Sequence, residues 1–196
     1  MNYLAHSYLS FSHEQLVGNM IADFIKNRER EFLPSEIQKG IKLHRAIDTF
    51  TDAHPVIHQA KKVFQPLVRL YSGAFVDVSF DYFLANSLGD ESLKKHAQEV
   101  YTTLWQYEDF FPEKFKILLP KMQKDDWLYN YKNDWGIKFS FQNVLNKAQY
   151  LEKELNVFPL FLNHKEFLKE CFDAFFPEIE NFAQGLNLEF NKVEQK

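Results

Sequence analysis

The stretch GIKLHRAIDTFTDAHP, residues 40–55, decides the fold class of this 196-residue chain. His44, Asp48 and Asp52 follow one another at steps of four residues. On an α-helix, a step of four places side chains on one face, one turn apart. The stretch therefore predicts a helix that carries a stripe of carboxylates and an imidazole. The residues beside that stripe are apolar: Ile41, Leu43, Ile47 and Phe50.

A second acidic stripe lies in FVDVSFDYFLAN, residues 75–86, where Asp77 and Asp81 stand four residues apart among apolar neighbours. Asp23 precedes both stripes. Carboxylates in an apolar bundle are costly unless something neutralises them, and a divalent metal does so while bringing hydrolytic chemistry. Mixed His and Asp ligands suit Mn²⁺, Fe²⁺ or Mg²⁺ better than a structural zinc site, which favours thiolates. The alternative to a metal site is a solvated polar face in which nearby basic residues pair with the acids.

Four further features bear on the site or on its surroundings. His54, at the end of the main helix, either interacts with the helix dipole or acts as a ligand or general acid. His6 lies in an apolar segment, where a core histidine is the common case, and we favour a functional role. Arg45 follows His44 directly and is suited to neutralise phosphate charge. The pair Gly18-Asn19 lacks the spacing of a phosphate loop and predicts close helix packing with the asparagine hydrogen-bonded inside.

Helical periodicity runs through almost the whole chain. With 6 Gly and 7 Pro the chain has too few turn residues for a β-sandwich, and no composition shift marks a domain boundary. We predict one all-α domain over residues 1–196, a helical bundle with an aromatic core and a tail that frays from about residue 186. Ser35 and Gln38 predict a capping box at the start of the main helix, and Ser72-Gly73 predicts a turn.

Charge and cysteine content exclude several classes of function. The formal net charge is −4, so the chain lacks the basic balance of a duplex-binding domain, and we expect no nucleic-acid partner. One cysteine excludes an intramolecular disulfide and fits a reducing compartment. The chain contains no run of about 18 apolar residues, so we predict no membrane-spanning helix. The segment MNYLAHSYLSF lacks the basic flank and the cleavage site of a signal peptide. We therefore expect a cytoplasmic protein without a membrane partner.

The charge is distributed unevenly along the chain. Residues 1–75 contain 9 Lys/Arg and 7 Asp/Glu, a balance of +2, and the remaining residues contain 14 and 20, a balance of −6. A positive surface beside a metal site suits an acidic partner or a phosphate. The basic side chains that we expect to dock such a partner are Arg28, Arg30, Lys61 and Lys62.

Several segments resemble a single family. MNYLAHSYLS, GNMIADFIK, GIKLHRAIDTFTDAHP, FVDVSFDYFLAN and the later WLYNYK and FQNVLN resemble the bacterial acyl carrier protein phosphodiesterases, a family that looks like a divergent branch of the His-Asp metal-dependent phosphohydrolases. The resemblance runs from residue 1 to about residue 150. It implies the all-α fold of those enzymes and a Mn²⁺- or Mg²⁺-dependent reaction. It also implies the substrate, holo acyl carrier protein, from which 4′-phosphopantetheine is removed to leave a free serine.

The resemblance implies site residues as well, since this chain matches the family's motifs at eight of the positions singled out above. The metal ligands expected from it are Asp23, His44, Asp48, Asp77 and Asp81. Catalytic roles are expected for His6, Asp52 and His54, together with Arg45. Either His54 or His6 would supply the proton that the leaving serine needs.

Tyr82 is a departure from the family's pattern, because many relatives have a histidine after the aspartate that corresponds to Asp81. Neighbouring residues on a helix point about 100° apart. If Asp81 faces the metal, Tyr82 is therefore at most part of the pocket wall.

Two other functions stay open at this point. One is the same chemistry on a nucleotide or another small phosphoester. The other is a catalytically inactive helical adaptor that binds carrier protein or a nucleotide. Metal content would separate the adaptor from both enzymes, and the oligomeric state is not predicted.

Overall fold

Residues 35–53 form the helix that the His/Asp spacing predicts. In the computed structural model, which describes residues 1–193, this helix is one of twelve α-helices, and the described residues contain no strand. The predicted all-α class is therefore confirmed. Short 3₁₀ segments occur at Ala22–Phe24, Arg69–Tyr71 and Glu108–Phe110. In chain order the helices are α1 (Tyr3–Tyr8), α2 (His13–Ile21), α3 (Asn27–Arg30), α4 (Ser35–Ala53), α5 (Pro55–Val68), α6 (Ser72–Ser87), α7 (Asp90–Gln106), α8 (Glu113–Lys124), α9 (Trp127–Asn130), α10 (Asp134–Lys147), α11 (Val157–Asn163) and α12 (Lys165–Val193).

Helix α4 begins at Ser35 as predicted, but the predicted capping box and the predicted turn at Ser72 do not form. Helix α4 has Pro34 as its N-cap and Ser35 as its first residue, and no side chain caps it. Gln38 Nε2 instead donates a hydrogen bond to the Leu33 carbonyl oxygen, 2.8 Å away. The amide is thus engaged before the predicted start, and the capping box does not form. Ser72, predicted to begin a turn, is the first residue of α6.

Helices α2 and α4 pack with their backbones in close approach, as the Gly18-Asn19 pair predicts. A Cβ atom on Gly18 would lie 2.0 Å from the Ile37 carbonyl oxygen, and one on Gly40 would lie 2.2 Å from the Gln15 carbonyl oxygen. Only glycine fits at both crossings, because any side chain would overlap the facing backbone. The close approach brings the second half of α2, with Asn19, beside the middle of α4.

The core is aromatic, as predicted. The rings of Phe64 on α5 and Phe75 on α6 have centroids 5.9 Å apart, and the Phe75 centroid lies 5.4 Å from that of Phe141 on α10. Such tilted contacts add to the stabilisation that comes from burying the rings. Helix α12 packs against α4, α5 and α6. The long C-terminal helix therefore supports both helices that carry the acidic stripes.

Helix α12 extends further than the sequence suggests. It continues through Pro177 and reaches Val193, whereas fraying is predicted from about residue 186. Residues 194–196, to which that prediction also applies, lie outside the described residues. Within residues 1–193, no helix is long and apolar enough to cross a membrane.

Candidate metal centre

Two histidines and one aspartate meet at the inner face of α4. His6, His44 and Asp48 each offer one ligand atom, and these atoms all lie within 4.8 Å of one another. Asp48 Oδ2 is 3.2 Å from His44 Nε2, and Asp48 Oδ1 is 3.3 Å from His6 Nε2. The two imidazole rings stack with centroids 4.0 Å apart. His6 on α1 thus adds a third possible metal ligand to His44 and Asp48 on α4.

Asn19 fixes the orientation of the His44 ring. Its Nδ2 group donates hydrogen bonds to the His6 carbonyl oxygen at 2.8 Å and to Ser10 Oγ at 3.1 Å. The amide oxygen therefore faces His44 and accepts from Nδ1–H, 3.0 Å away. The other ring nitrogen, Nε2, points at Asp48 and at Asp23 Oδ1, which lies 3.3 Å away. This is the arrangement that a metal-binding histidine needs, with one nitrogen held and the other directed at the ion.

The charges within the cluster are unequal. Burial lowers the pKa of His44, but the hydrogen bonds and charges of Asp23 and Asp48 outweigh it and raise that pKa to about 9. Burial and the nearby charge of His44 lower the pKa of His6 to about 4. Burial opposes ionisation of Asp48, yet its hydrogen bonds to the two imidazoles hold its pKa well below the ordinary range. Near neutral pH these shifts favour one positive charge, on His44, beside the carboxylates of Asp23 and Asp48.

The residues fit a divalent cation. A bare Nε2 lone pair facing two carboxylates would be repelled, so either a proton or a metal ion must lie there. Imidazole nitrogens with carboxylate oxygens form a donor set that suits Mn²⁺ or Fe²⁺. The fit is best for His44. His6 Nδ1 is buried and has no hydrogen-bond partner among the described residues, so His6 lacks the second contact that usually orients a ligand.

The cluster lies in a cleft with a volume of about 440 Å³. One part of its wall comes from α1, α2, the 3₁₀ segment Ala22–Phe24, α4 and α6, and it carries the acidic groups Asp23, Asp48, Asp52 and Asp77. The other part comes from α9 and α10. Sequence reasoning missed the polar residues of this second part, because they belong to no acidic or imidazole pattern. They are Ser140, Asn143 and Lys147, which line the cleft together with Trp127 and Tyr131.

The structure does not bring Asp81 to the metal cluster. Its carboxylate is fully buried and accepts hydrogen bonds from the backbone N–H groups of Leu4 at 2.8 Å, Ala5 at 3.3 Å and Asn2 at 3.4 Å. Burial raises the pKa of this carboxyl to about 7, although the backbone hydrogen bonds act in the opposite direction. Asp81 therefore satisfies the first turn of α1, where N–H groups have no partner within the helix.

Asp77, one turn before Asp81, takes an intermediate position. Its Oδ1 atom lies 3.0 Å from the amino group of Met1, and its side chain lines the cleft. Burial raises the pKa of the Asp77 carboxyl, and the Met1 amino charge acts against that rise. The second acidic stripe thus contacts the Met1 amino group and the first backbone N–H groups of the chain, whereas Asp48 on the first stripe contacts imidazoles.

The other predicted catalytic residues are spread out. Asp52 lines the cleft, and its Oδ1 atom forms an ion pair with Lys61 Nζ at 2.7 Å. Arg45 is half-buried and does not belong to the described lining of the cleft. His54 also lies outside that lining. It joins α4 to α5, accepts from the Val56 N–H through Nδ1, and contacts Glu178 through Nε2 at 3.3 Å.

Tyr82 lies on a different face of α6 from Asp81. Its side chain is buried against Phe161, and its hydroxyl accepts a hydrogen bond from Lys165 Nζ at 2.6 Å. The described lining of the cleft does not include Tyr82. Tyr82, which the resemblance marks as a departure from the family's pattern, is therefore part of the contact between α6 and the C-terminal helices.

Comparison with known proteins identifies the family. The family model described as acyl carrier protein phosphodiesterase matches residues 1–179, most of the chain. This chain belongs to that family. The acyl carrier protein phosphodiesterase of Yersinia pestis is 28% identical over 189 residues, which cover 94% of this chain and 98% of that protein. That of Escherichia coli O139:H28 (strain E24377A / ETEC) is 32% identical over 151 residues, covering 74% and 76%. No solved structure matches.

Proposed function

We propose that this chain hydrolyses the phosphodiester bond that joins 4′-phosphopantetheine to a serine of holo acyl carrier protein. One observation carries the proposal: in a member of the acyl carrier protein phosphodiesterase family, His6, His44 and Asp48 converge in an open cleft. In the reaction, water adds to phosphorus, the bond from phosphorus to the serine oxygen breaks, and that oxygen takes up a proton. The products are apo carrier protein and 4′-phosphopantetheine.

We infer that a divalent cation, with Mn²⁺ as the first choice and Mg²⁺ or Fe²⁺ as others, is held by His44, Asp48 and Asp23, with His6 beside them. When bound, such a cation polarises a phosphodiester and makes water a better nucleophile. Asn19 keeps His44 Nε2 directed at the site. Asp77 and Asp52 line the same cleft and remain candidates for binding or catalysis. Asp81 is not included, because backbone N–H groups occupy both of its oxygens.

The leaving serine needs a proton, and the cleft is open to solvent at Asp23 and Asp52. The Asp23 and Asp52 side chains are 74% and 75% exposed, so solvent reaches this part of the site and can supply it. The sequence predicts His54 or His6 as the proton donor. His6 lines the cleft, whereas His54 contacts Val56 and Glu178 and is not part of the described lining. We therefore assign His54 a structural role in the connection between α4 and α5.

The carrier protein is acidic, so docking should use basic side chains near the cleft. Arg28 and Lys62 are exposed and suited to this role. Lys61 is half-buried and already paired with Asp52, and Arg30 is also half-buried. We propose that Arg28 and Lys62 contribute more to docking than Arg30 and Lys61.

Intact-protein mass spectrometry of holo carrier protein, after incubation with this protein and Mn²⁺, tests the proposal. We expect loss of the 4′-phosphopantetheine mass, no loss when a chelator is present, and no loss with His44→Ala. Intact holo carrier protein together with hydrolysis of a nucleotide would point to the small-phosphoester alternative. If the metal-loaded protein hydrolyses neither substrate, the proposal is wrong and the inactive helical adaptor is the alternative that stays open.

A further inference from the structure

Helix α10 presents a polar stripe to the cleft. Ser140, Asn143 and Lys147 stand at steps of three and four residues, so they lie on one face of the helix. All three line the cleft that holds the His/Asp cluster. Asn143 and Lys147 are one turn apart, a distance of about 6 Å along the helix axis. This wall therefore offers an amide group and an ammonium group at a defined spacing.

Lys147 is an exposed cation of the cleft without a partner among residues 1–193. The Met1 amino group faces Asp77 at 3.0 Å, and Lys61, near the rim, is paired with Asp52 at 2.7 Å. Lys147 is the one Lys or Arg side chain among the described lining residues. Within residues 1–193, none of the hydrogen bonds or ion pairs involves its ammonium group. Its charge is therefore free to meet an anionic ligand.

A phosphodiester entering this cleft meets an excess of negative charge, since four carboxylates line the same space. Like charges repel each other, so a bound phosphate needs positive charge from more than one direction. Lys147 supplies it from α10, whereas the His/Asp cluster lies on α1 and α4. Lysine acts as a flexible point charge and is a common phosphate-binding residue.

We propose, as an extension that rests on the proposed function, that α10 is the substrate-binding wall of the cleft. Lys147 contacts the phosphate of the 4′-phosphopantetheine group, and Asn143, one turn earlier, hydrogen-bonds an amide of the pantetheine arm. An asparagine side chain carries one acceptor and two donors, and this matches the acceptor and donor of an amide. The two residues thus set which part of the substrate lies nearest the His/Asp cluster.

Calorimetric titration with two probes, in buffer containing Mn²⁺, tests this assignment directly. 4′-Phosphopantetheine carries both the phosphate and the arm, and pantetheine carries only the arm. We expect Lys147→Gln to weaken binding of 4′-phosphopantetheine about tenfold, the size of one charge-assisted hydrogen bond, and to leave pantetheine unchanged. Lys147→Arg should restore most of the affinity. Asn143→Leu should weaken both probes.

Lys121→Gln is the matched control, because Lys121 is an exposed lysine on α8 that is not part of the described lining. It should bind both probes like the wild-type protein. Lys147→Gln with wild-type affinity for 4′-phosphopantetheine, or with equal losses for both probes, would overturn the role of Lys147. A wild-type protein that binds neither probe would also overturn it. The proposed function is tested separately: it is wrong if the wild-type protein with Mn²⁺ leaves holo carrier protein intact.

Discussion

Helices α4 and α6 carry the same sequence pattern and use it differently. In both, two aspartates or a histidine and an aspartate stand four residues apart among apolar neighbours. On α4, Asp48 contacts the Nε2 atoms of two imidazoles in an open cleft. On α6, Asp81 is fully buried and accepts hydrogen bonds from three backbone N–H groups. One stripe forms a candidate metal site, and the other stabilises the start of a helix.

Helix α1 is the partner that the two stripes share. Its backbone N–H groups bind Asp81, and its His6 side chain contacts Asp48. Asp81 therefore positions the short helix that completes the cluster on α4. The comparison teaches that spacing selects a face of a helix, whereas the chemistry of that face depends on which groups another segment brings to it.

The largest effect should come from His44→Ala. This change removes the imidazole that Asn19, Asp23 and Asp48 all contact. Since loss of a contact that merely orients a metal ligand already costs about 10- to 100-fold, we expect loss of the ligand to reduce activity by more than about a hundredfold. Turnover of holo carrier protein measures it, and circular dichroism should show the helices intact. A variant as active as the wild-type protein would remove His44 from the site.

Asp81→Ala should instead reduce stability. It leaves buried N–H groups of α1 without an acceptor, so we expect the free energy of unfolding to fall by about 2–4 kcal/mol. Urea unfolding followed by circular dichroism measures this. Asp81→Asn, which keeps one acceptor oxygen, is the matched control and should lose less. Equal stability of Asp81→Ala and the wild-type protein would mean that the α6 stripe does not support α1.

Asn19→Ala should have an intermediate effect on the α4 site. It removes the acceptor that holds His44 Nδ1–H but leaves every proposed ligand in place. Outer contacts of this kind are worth about 10- to 100-fold in metal affinity. We expect the dissociation constant for Mn²⁺ to rise within that range. Unchanged affinity would mean that packing alone orients the ring.

The smallest expected effect is the release of a proton when the metal binds. The His44 pKa is raised to about 9 from the ordinary 6.5, so in the metal-free protein its ion pairs stabilise the fold fully below pH 6.5, and this contribution is lost as the pH rises through about 9. A cation replaces that proton, so binding near neutral pH should release about one proton. Calorimetry in two buffers with different ionisation enthalpies counts it. Binding without proton release would contradict a protonated His44 in the metal-free state.

Much of this architecture could be predicted from local rules. The i,i+4 spacing places His44 and Asp48 on one helical face, and the Gly18-Asn19 pair indicates the close approach of α2 and α4. Apolar periodicity predicts an all-α fold with an aromatic core. These features depend on residues that are near in sequence or on side-chain size, and both can be read directly from the chain.

The remainder depends on contacts between distant segments. Asp81 differs from Asp48 because α1 reaches it across 77 residues of sequence, and its flanking residues do not indicate this. Lys147 and Asn143 belong to no acidic or imidazole pattern, and only the packing of α10 brings them to the cleft. The resemblance predicts a catalytic role for His54, yet the turn into α5 directs its ring towards Glu178.

The most direct test of the difference between the two stripes is a Mn²⁺ titration, followed by electron paramagnetic resonance, of Asp48→Asn and Asp81→Asn side by side. Both changes remove one carboxylate charge and keep the side-chain shape. We expect Asp48→Asn to lose high-affinity Mn²⁺ binding, and folded Asp81→Asn to bind Mn²⁺ within about threefold of the wild-type protein, less than the cost of one lost contact to a ligand. Folded Asp81→Asn that no longer binds Mn²⁺, or Asp48→Asn that binds it normally, would contradict this division of roles.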